Sequence, residues 1–290
     1  MSDLHGCSAP LYDSCMLFED YLIIVRGGGD LGTGVVYRLH KAGFPVLVLE
    51  LAQPLVVRRR VALATADAEG EIQIEDLSGR LVSDLPAARE VMEQGSVPIL
   101  VAADLEPVVH NLGSMPLAIV DARLAKRNID TRIDQAPLVI GLGPGFEAGQ
   151  DCHAVVETMR GHRLGRVMWQ GSALPNTGTP GIVAGKGAER VLCAPREGLI
   201  NWQVEIGDKV EPDQELGDVN DAPVKAPFGG VVRGLIAQGT AVSAGLKIGD
   251  VDPRADRAAC FTISDKALSI GGAVLEAVLT YLNSNQLEIH

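Results

Sequence analysis

Three glycines, Gly27, Gly29 and Gly32, stand at G-x-G-x-x-G spacing within RGGGDLGTG at residues 26–34. That spacing suits a diphosphate. The first glycine permits a tight turn, the second lets a phosphate approach the backbone, and the third lets the following helix lie close to its strand. Free N–H groups at the helix start then face the anion, helped by a dipole of about 0.3–1 kcal/mol. Gly28 adds one more residue without a side chain. Asp30 stands among them, and an acid at a helix start is stabilising by itself. It would compete with phosphate for the same N–H groups. Two readings stay open: a diphosphate loop, or a glycine turn that only lets a helix pack on a strand. Glu50 ends the next apolar run, where a carboxylate can accept from ribose hydroxyls and favours an unphosphorylated ribose.

A second glycine loop, GLGPGF at 141–146, brings Gly141, Gly143 and Gly145 after another apolar run. Beside the first loop it would face one cleft at the carboxyl edge of a sheet. Asn176 and Thr177, in PNTGTPG, offer an amide and a hydroxyl from a loop opposite. These residues, with Gly27, Gly28, Gly29, Asp30, Gly32 and Glu50, make the candidate cofactor-binding set. Asp121 is a further polar group at the same edge. The run Arg58-Arg59-Arg60 reads as solvated surface, and Lys126 and Arg127 as a solvated helix face. His153 and His162 lack paired metal-ligand spacing, so no metal site is expected. No G-x-S-x-G motif and no cysteine with a spaced histidine partner is present, so catalytic residues are not identified. Cys260 reads as a buried, inert thiol.

The elements that must position these residues follow from periodicity. YLIIV and PVLVLE are buried strands joined by the amphipathic LGTGVVYRLHKAG, a βαβ unit that stops at Gly43. VPILVAA, PLAIVDA and PLVIGLGPGF continue a parallel or mixed sheet. Residues 194–219 and 226–251 then repeat without a gap. Ala194/Ala226, Pro195/Pro227, Gly198/Gly230, Gly207/Gly239, Val210/Val242, Gly217/Gly249 and Asp218/Asp250 coincide. This pattern resembles the biotinyl/lipoyl barrel-sandwich domain. Such carriers present a lysine at the hairpin between their halves. Here the joint reads VNDAPVKAP with Lys225 at a strand entry, so no biotin or lipoyl attachment is expected. Ala267, Ile270, Val274, Ala277, Val278 and Tyr281 mark one face of a C-terminal helix.

The expected class is therefore α/β: a Rossmann-like parallel or mixed sheet at 21–190, a small barrel-sandwich (biotinyl/lipoyl-like) β module at 191–252, and a C-terminal segment and helix at 253–290. Residues 1–20 are expected to be a disordered lead. A net charge of -12 argues against nucleic acid as a partner. Five cysteines without CxxC pairs suit a reducing compartment. The N-terminus lacks the pattern of a signal peptide, and no run approaches the roughly 18 apolar residues of a membrane span, so a cytoplasmic protein without a membrane partner is expected.

Long strings in order, including IIVRGGGDLGTGVVYRLHKAGFPVLVLE, PLVIGLGPGFEAGQDCHAVVETMRGHRLGRV, PNTGTPG, VKAPFGGVVRGLI and ISDKALSIGGAVLEAVL, resemble the YqeB-type selenium-dependent molybdenum hydroxylase system proteins. The N-terminal part is similar to the Rossmann domain of XdhC-type chaperones. The resemblance implies an accessory role in maturation of a molybdenum hydroxylase, with that enzyme or its maturation factors as partners and a small nucleotide-like ligand. Molybdopterin dinucleotide and NAD are the candidate cofactors. An NAD-dependent oxidoreductase, with His153 as a loose proton-handling candidate, and a docking scaffold are the alternatives. A homo-oligomer is compatible with all three.

Overall fold

A computed structural model describes residues 17–66, 70–178 and 185–286. Most of the expected disordered lead lies outside the described residues. Residues 17–20 form turns, and Phe18 stacks on Phe44 with ring centroids 4.1 Å apart.

The first part of the chain gives β1 (Ile23–Arg26), α1 (Asp30–Lys41), β2 (Val46–Glu50), β3 (Glu71–Ile74), β4 (Leu77–Val82), α2 (Leu85–Glu93), β5 (Val97–Val101), α3 (Leu105–Asn111), β6 (Ala118–Asp121), β7 (Leu138–Leu142), β8 (Glu147–Ala148), β9 (Ala154–Val156), β10 (Val167–Met168) and β11 (Gly171–Ser172). Nine of these strands form one sheet in the order β10-β9-β7-β6-β1-β2-β5-β4-β3. Its middle is parallel, and β10 and β3 close the two ends antiparallel. Both faces are covered, so the central strands are continuous apolar runs rather than alternating ones.

The repeat segment gives β12 (Val191–Cys193), β13 (Gly198–Trp202), β14 (Lys209–Val210), β15 (Glu215–Val219), β16 (Ala222–Lys225), β17 (Gly230–Leu235), β18 (Ala241–Val242) and β19 (Lys247–Asp252). They form two four-stranded sheets, β12-β19-β17-β14 and β16-β15-β13-β18. Leu192, Ile200, Leu216, Val231, Leu235, Ile248 and Val251 fill the space between them. The turn joining the two copies carries Asn220 and Asp221, and Lys225 is exposed at the end of β16.

The chain then returns to the large sheet. Helix α4 (Asp265–Gln286) lays Ala267, Ile270, Val274, Ala277 and Val278 into the same core as α1 and the β1, β6 and β7 side chains. The approach of the two helices is close because both present glycine. A Cβ on Gly34 would meet the Ala267 backbone, and one on Gly271 would meet the Gly34 carbonyl. Residues 265–284 are long and apolar enough to cross a membrane, at a mean hydropathy of 1.2. Their apolar stripe is instead buried against α1 and the sheet.

This arrangement corrects the expected class. A Rossmann-like domain followed by a biotinyl/lipoyl-like module and a separate helix is not what forms. The chain builds one large mixed sheet whose first helical layer is completed by α4, from beyond the repeat. The small sheets are also tied to the large one. Arg58 bridges Leu235, Arg59 Nε donates to the Leu235 carbonyl at 2.8 Å, and Gly234 lies against the Val57 backbone.

Candidate functional site

The glycine loop connects β1 to α1, and most of its groups are used by the fold. Gly27 takes a positive φ of 100°, and its N–H donates to the Leu49 carbonyl at 2.8 Å. A Cβ on Gly32 would strike the Gly27 carbonyl, so this glycine sets how tightly α1 meets the loop. The Gly28 N–H donates to Glu50 Oε1 at 2.7 Å, and the Leu51 N–H to Glu50 Oε2 at 2.7 Å. Both carboxylate oxygens of Glu50 are thus engaged by backbone. A ribose-binding Glu50 would have to share oxygens that already hold the glycine loop to the end of β2. Gly29 is the N-cap of α1, and no side chain caps the helix there. Asp30 turns from the helix start towards Arg58, its Oδ2 lying 3.8 Å from Nη1.

The second glycine loop is likewise a packing device. A Cβ on Gly141 would enter the Phe146 ring, one on Gly143 would lie 2.5 Å from Thr158 Oγ1, and one on Gly145 would lie 2.5 Å from the Arg127 backbone. Asp121 is buried in a network of its own. It accepts from Thr131 Oγ1 at 2.6 Å and from Arg123, which also holds Asp130 at 2.6 Å. Arg26, at the end of β1, clasps Asp130 through two bonds of 2.8 Å, and this hydrogen bonding draws the Asp130 carboxyl down to about 2. His153 stands in the bend just before β9. Its Nδ1 accepts from the Val139 N–H at 3.0 Å, and burial lowers its basicity. It does not line the cleft that holds Gly29 and Asp30, so the proton-handling role needed by an oxidoreductase is corrected too.

That cleft has a volume of about 570 Å³. Gly29, Asp30, Asn176 and Thr177 line it together; Gly27, Gly28, Gly32, Glu50, Gly141, Gly143 and Gly145 do not. Asn176 also closes its own turn, accepting from the Gly178 N–H at 3.3 Å.

What the sequence reading missed is the charge of the lining. Seven lysines and arginines line the cleft against three acids, in a chain of net charge -12. Arg58, Lys126, Arg160 and Lys266 come from loops around the large sheet and from the start of α4. Arg233 and Lys247 come from the repeat segment, and Arg190 from the short turn just before it. Arg58 is not a solvated surface charge, whereas Lys126 is exposed as expected. The Arg58 side chain is 10% exposed and its Nη2 donates to the Ala259 carbonyl at 2.9 Å, while Lys126 lies in a bend, not on a helix. Arg160 is paired with Asp265, through two bonds of 2.8 Å, and Arg190 with Asp250 at 3.0 Å. The ammonium groups of Lys126 and Lys266 make no hydrogen bond or ion pair with any described residue. Burial lowers the pKa of Arg58, aided by Arg233, and burial likewise lowers that of Lys266; Asp30 opposes the shift in both. Asp30 is therefore the acid between two groups of cations. Among the described residues there is no cluster of three or more His, Cys, Asp or Glu able to hold a metal ion.

No family model matches the chain. It is 44% identical over 263 residues to "Uncharacterized protein YqeB" of Escherichia coli strain K12, covering 90% of this chain and 48% of that protein. The chain thus spans about half the length of the curated relative it matches. Among solved structures it matches a succinylglutamate desuccinylase/aspartoacylase from Rhodobacter sphaeroides, at 12% identity and a TM-score of 0.24, over 81% of this chain and 86% of that one. An aspartoacylase family protein from Mesorhizobium loti matches at 10% identity and a TM-score of 0.24, over 80% and 84%. The ectoine utilization protein EutE from Ruegeria pomeroyi matches at 11% identity and a TM-score of 0.22, over 79% and 56%.

The similarity to YqeB stands. The molybdenum hydroxylase and selenium association does not: the YqeB name assigns no process. The expectation of a maturation factor, with its oxidoreductase and scaffold alternatives, is corrected accordingly. At TM-scores of 0.22 to 0.24 no activity of the solved structures transfers to this chain.

Proposed function

We propose that the cleft between the large sheet and the repeat segment binds a small, multiply anionic molecule bearing carboxylate or phosphate groups. The observation that supports this reading is the concentration of seven cationic side chains around one cavity of a strongly acidic chain. Like charges gathered in a low-dielectric cleft repel, and they are tolerated where an anion completes the set. Two details support it further. The side-chain Nε atoms of Arg58 and Arg233 are buried without an acceptor among the described residues, an arrangement that costs about 1–3 kcal/mol per group when left unsatisfied. The start of α1, with Gly29 as an uncapped N-cap, opens on the same cleft. The volume suits a metabolite-sized ligand.

Calorimetric titration with pyrophosphate and with citrate, at low and at high salt, tests the reading. Binding that weakens as salt rises is expected, because the contacts are between charges. Absence of any heat or thermal shift with either anion at low salt would refute it.

A further inference from the structure

The repeat segment supplies cations to the cleft from one copy only. At matched positions Arg233 stands where the first copy has Asn201, and Lys247 where it has Glu215; Asp250 matches Asp218. The three residues of the second copy line the cleft. Asn201 Nδ2 donates to Asp218 at 3.0 Å, Gln238 donates to Asn201 at 2.8 Å, and Asn201 and Glu215 are exposed. In the second copy Asp250 instead holds Arg190 at 3.0 Å and Lys247 at 3.4 Å.

The backbone differs at the same place. In the first copy β13 pairs with β15 in unbroken register, Ile200 with Val219, Asn201 with Asp218 and Trp202 with Gly217. In the second copy Val232 pairs with Val251 and Gly234 with Asp250, so the register shifts and Arg233 is the extra residue of a bulge. A bulge re-aims the side chain it carries. Here it carries a guanidinium that is 11% exposed, whose Nε has no acceptor among the described residues and whose nearest acid, Asp252, is 3.5 Å away.

We infer that the second copy is the specificity-determining wall of the cleft, with Arg233 and Lys247 taking one anionic end of the ligand while Lys126 and Lys266 take the other. The ligand class is then a bis-anion, two charged ends on a short body, and not a single phosphate or carboxylate. This inference rests on the proposed anion-binding function.

The test uses the first copy as its own template. An Arg233→Asn/Lys247→Glu double variant carries the residues that the same scaffold already folds at the matching positions. Lys247→Glu alone, at a side chain 46% exposed, serves should the double variant not fold. Pyrophosphate and citrate are the bis-anionic and poly-anionic probes, and acetate and inorganic phosphate the single-group probes. The wild type is expected to bind pyrophosphate or citrate at least about tenfold more tightly than the single-group probes, and the double variant to lose about a hundredfold in that affinity. An Asn201→Arg/Glu215→Lys variant of the first copy should bind as the wild type does. Wild-type affinity in the double variant, an equal loss in the first-copy variant, or equal wild-type affinity for single-group probes would each overturn the inference and leave anion binding intact. A wild type that binds none of the probes would remove the underlying function itself.

Discussion

Asp30 reaches across the cleft to Arg58, with 3.8 Å between Oδ2 and Nη1, and leaves the start of α1 uncapped. The contact is long for an ion pair, and both partners line the cleft. Asp30 therefore holds Arg58 loosely and repels an incoming anion. Asp30→Asn is expected to tighten citrate or pyrophosphate binding by about three- to tenfold, close to 1 kcal/mol. It should also cost about 0.3–1 kcal/mol of stability, because a first-turn carboxylate favours the helix dipole. Calorimetry and denaturant unfolding on one preparation read both signs. Weaker binding in the variant would mean that Asp30 itself contacts the ligand.

Glu50 offers a contrasting case. Its oxygens accept from the Gly28 and Leu51 N–H groups at 2.7 Å each, so the side chain ties the glycine loop to the end of β2. Glu50→Ala strands two backbone donors and is expected to cost about 1–3 kcal/mol. Glu50→Gln keeps one acceptor oxygen and should lose less. Urea midpoints of the three proteins give the order. A Glu50→Ala protein as stable as the wild type would free this carboxylate for a ligand after all.

Gly34 is where α1 and α4 touch. A Cβ there would meet the Ala267 backbone, which a rotamer change cannot move aside. Gly34→Ala is expected to destabilise by about 1–3 kcal/mol or more, although alanine is the better helix former. Gly29→Ala is the control, since its Cβ would meet nothing within 4 Å, and its effect should stay within about 0.5 kcal/mol. If both variants unfold alike, the helix contact is not what requires glycine at position 34.

The sequence is legible where a signal is local. The apolar runs mark β1, β2, β5, β6 and β7 because strands covered on both faces must be apolar throughout. The stripe from Ala267 to Val278 marks the buried face of α4 for the same reason. Where α4 docks is not local. Nothing before the repeat indicates that a helix after it fills the space beside α1. The site follows the same rule. Glycine spacing points to Gly29 and Asp30, but the spacing of Gly27, Gly28 and Gly32 reflects backbone packing, which uses the same residue type as phosphate binding. Arg58, Lys126, Arg160 and Lys266 are scattered in sequence and meet only through the fold. Arg233 and Lys247 are readable in principle, because the aligned copies differ in charge at those two positions.

His153 gives the pH response. Its Nδ1 accepts from the Val139 N–H at 3.0 Å, while its backbone N–H donates to the Val139 carbonyl at 2.8 Å, so the neutral residue splices β7 to the start of β9. Burial lowers its pKa below the ordinary 6.5, and protonation would also convert Nδ1 from acceptor to donor against an N–H. The unfolded chain regains about 6.5 and so binds more protons than the folded one below that pH. Stability from this residue is therefore full above about pH 6.5 and falls as pH drops towards the folded value. Asp130, held at about 2 by Arg26, also has a depressed pKa, but its contribution is lost only below about pH 4. The two windows separate. His153→Asn supplies an amide oxygen as acceptor and does not titrate, so its stability should decline less steeply than the wild type's from pH 7 to about pH 5, where the burial-depressed His40 still contributes in both proteins. Urea unfolding across that range, with matched ionic strength, measures the slopes. Identical slopes in the two proteins would place the neutral-range pH dependence on another group.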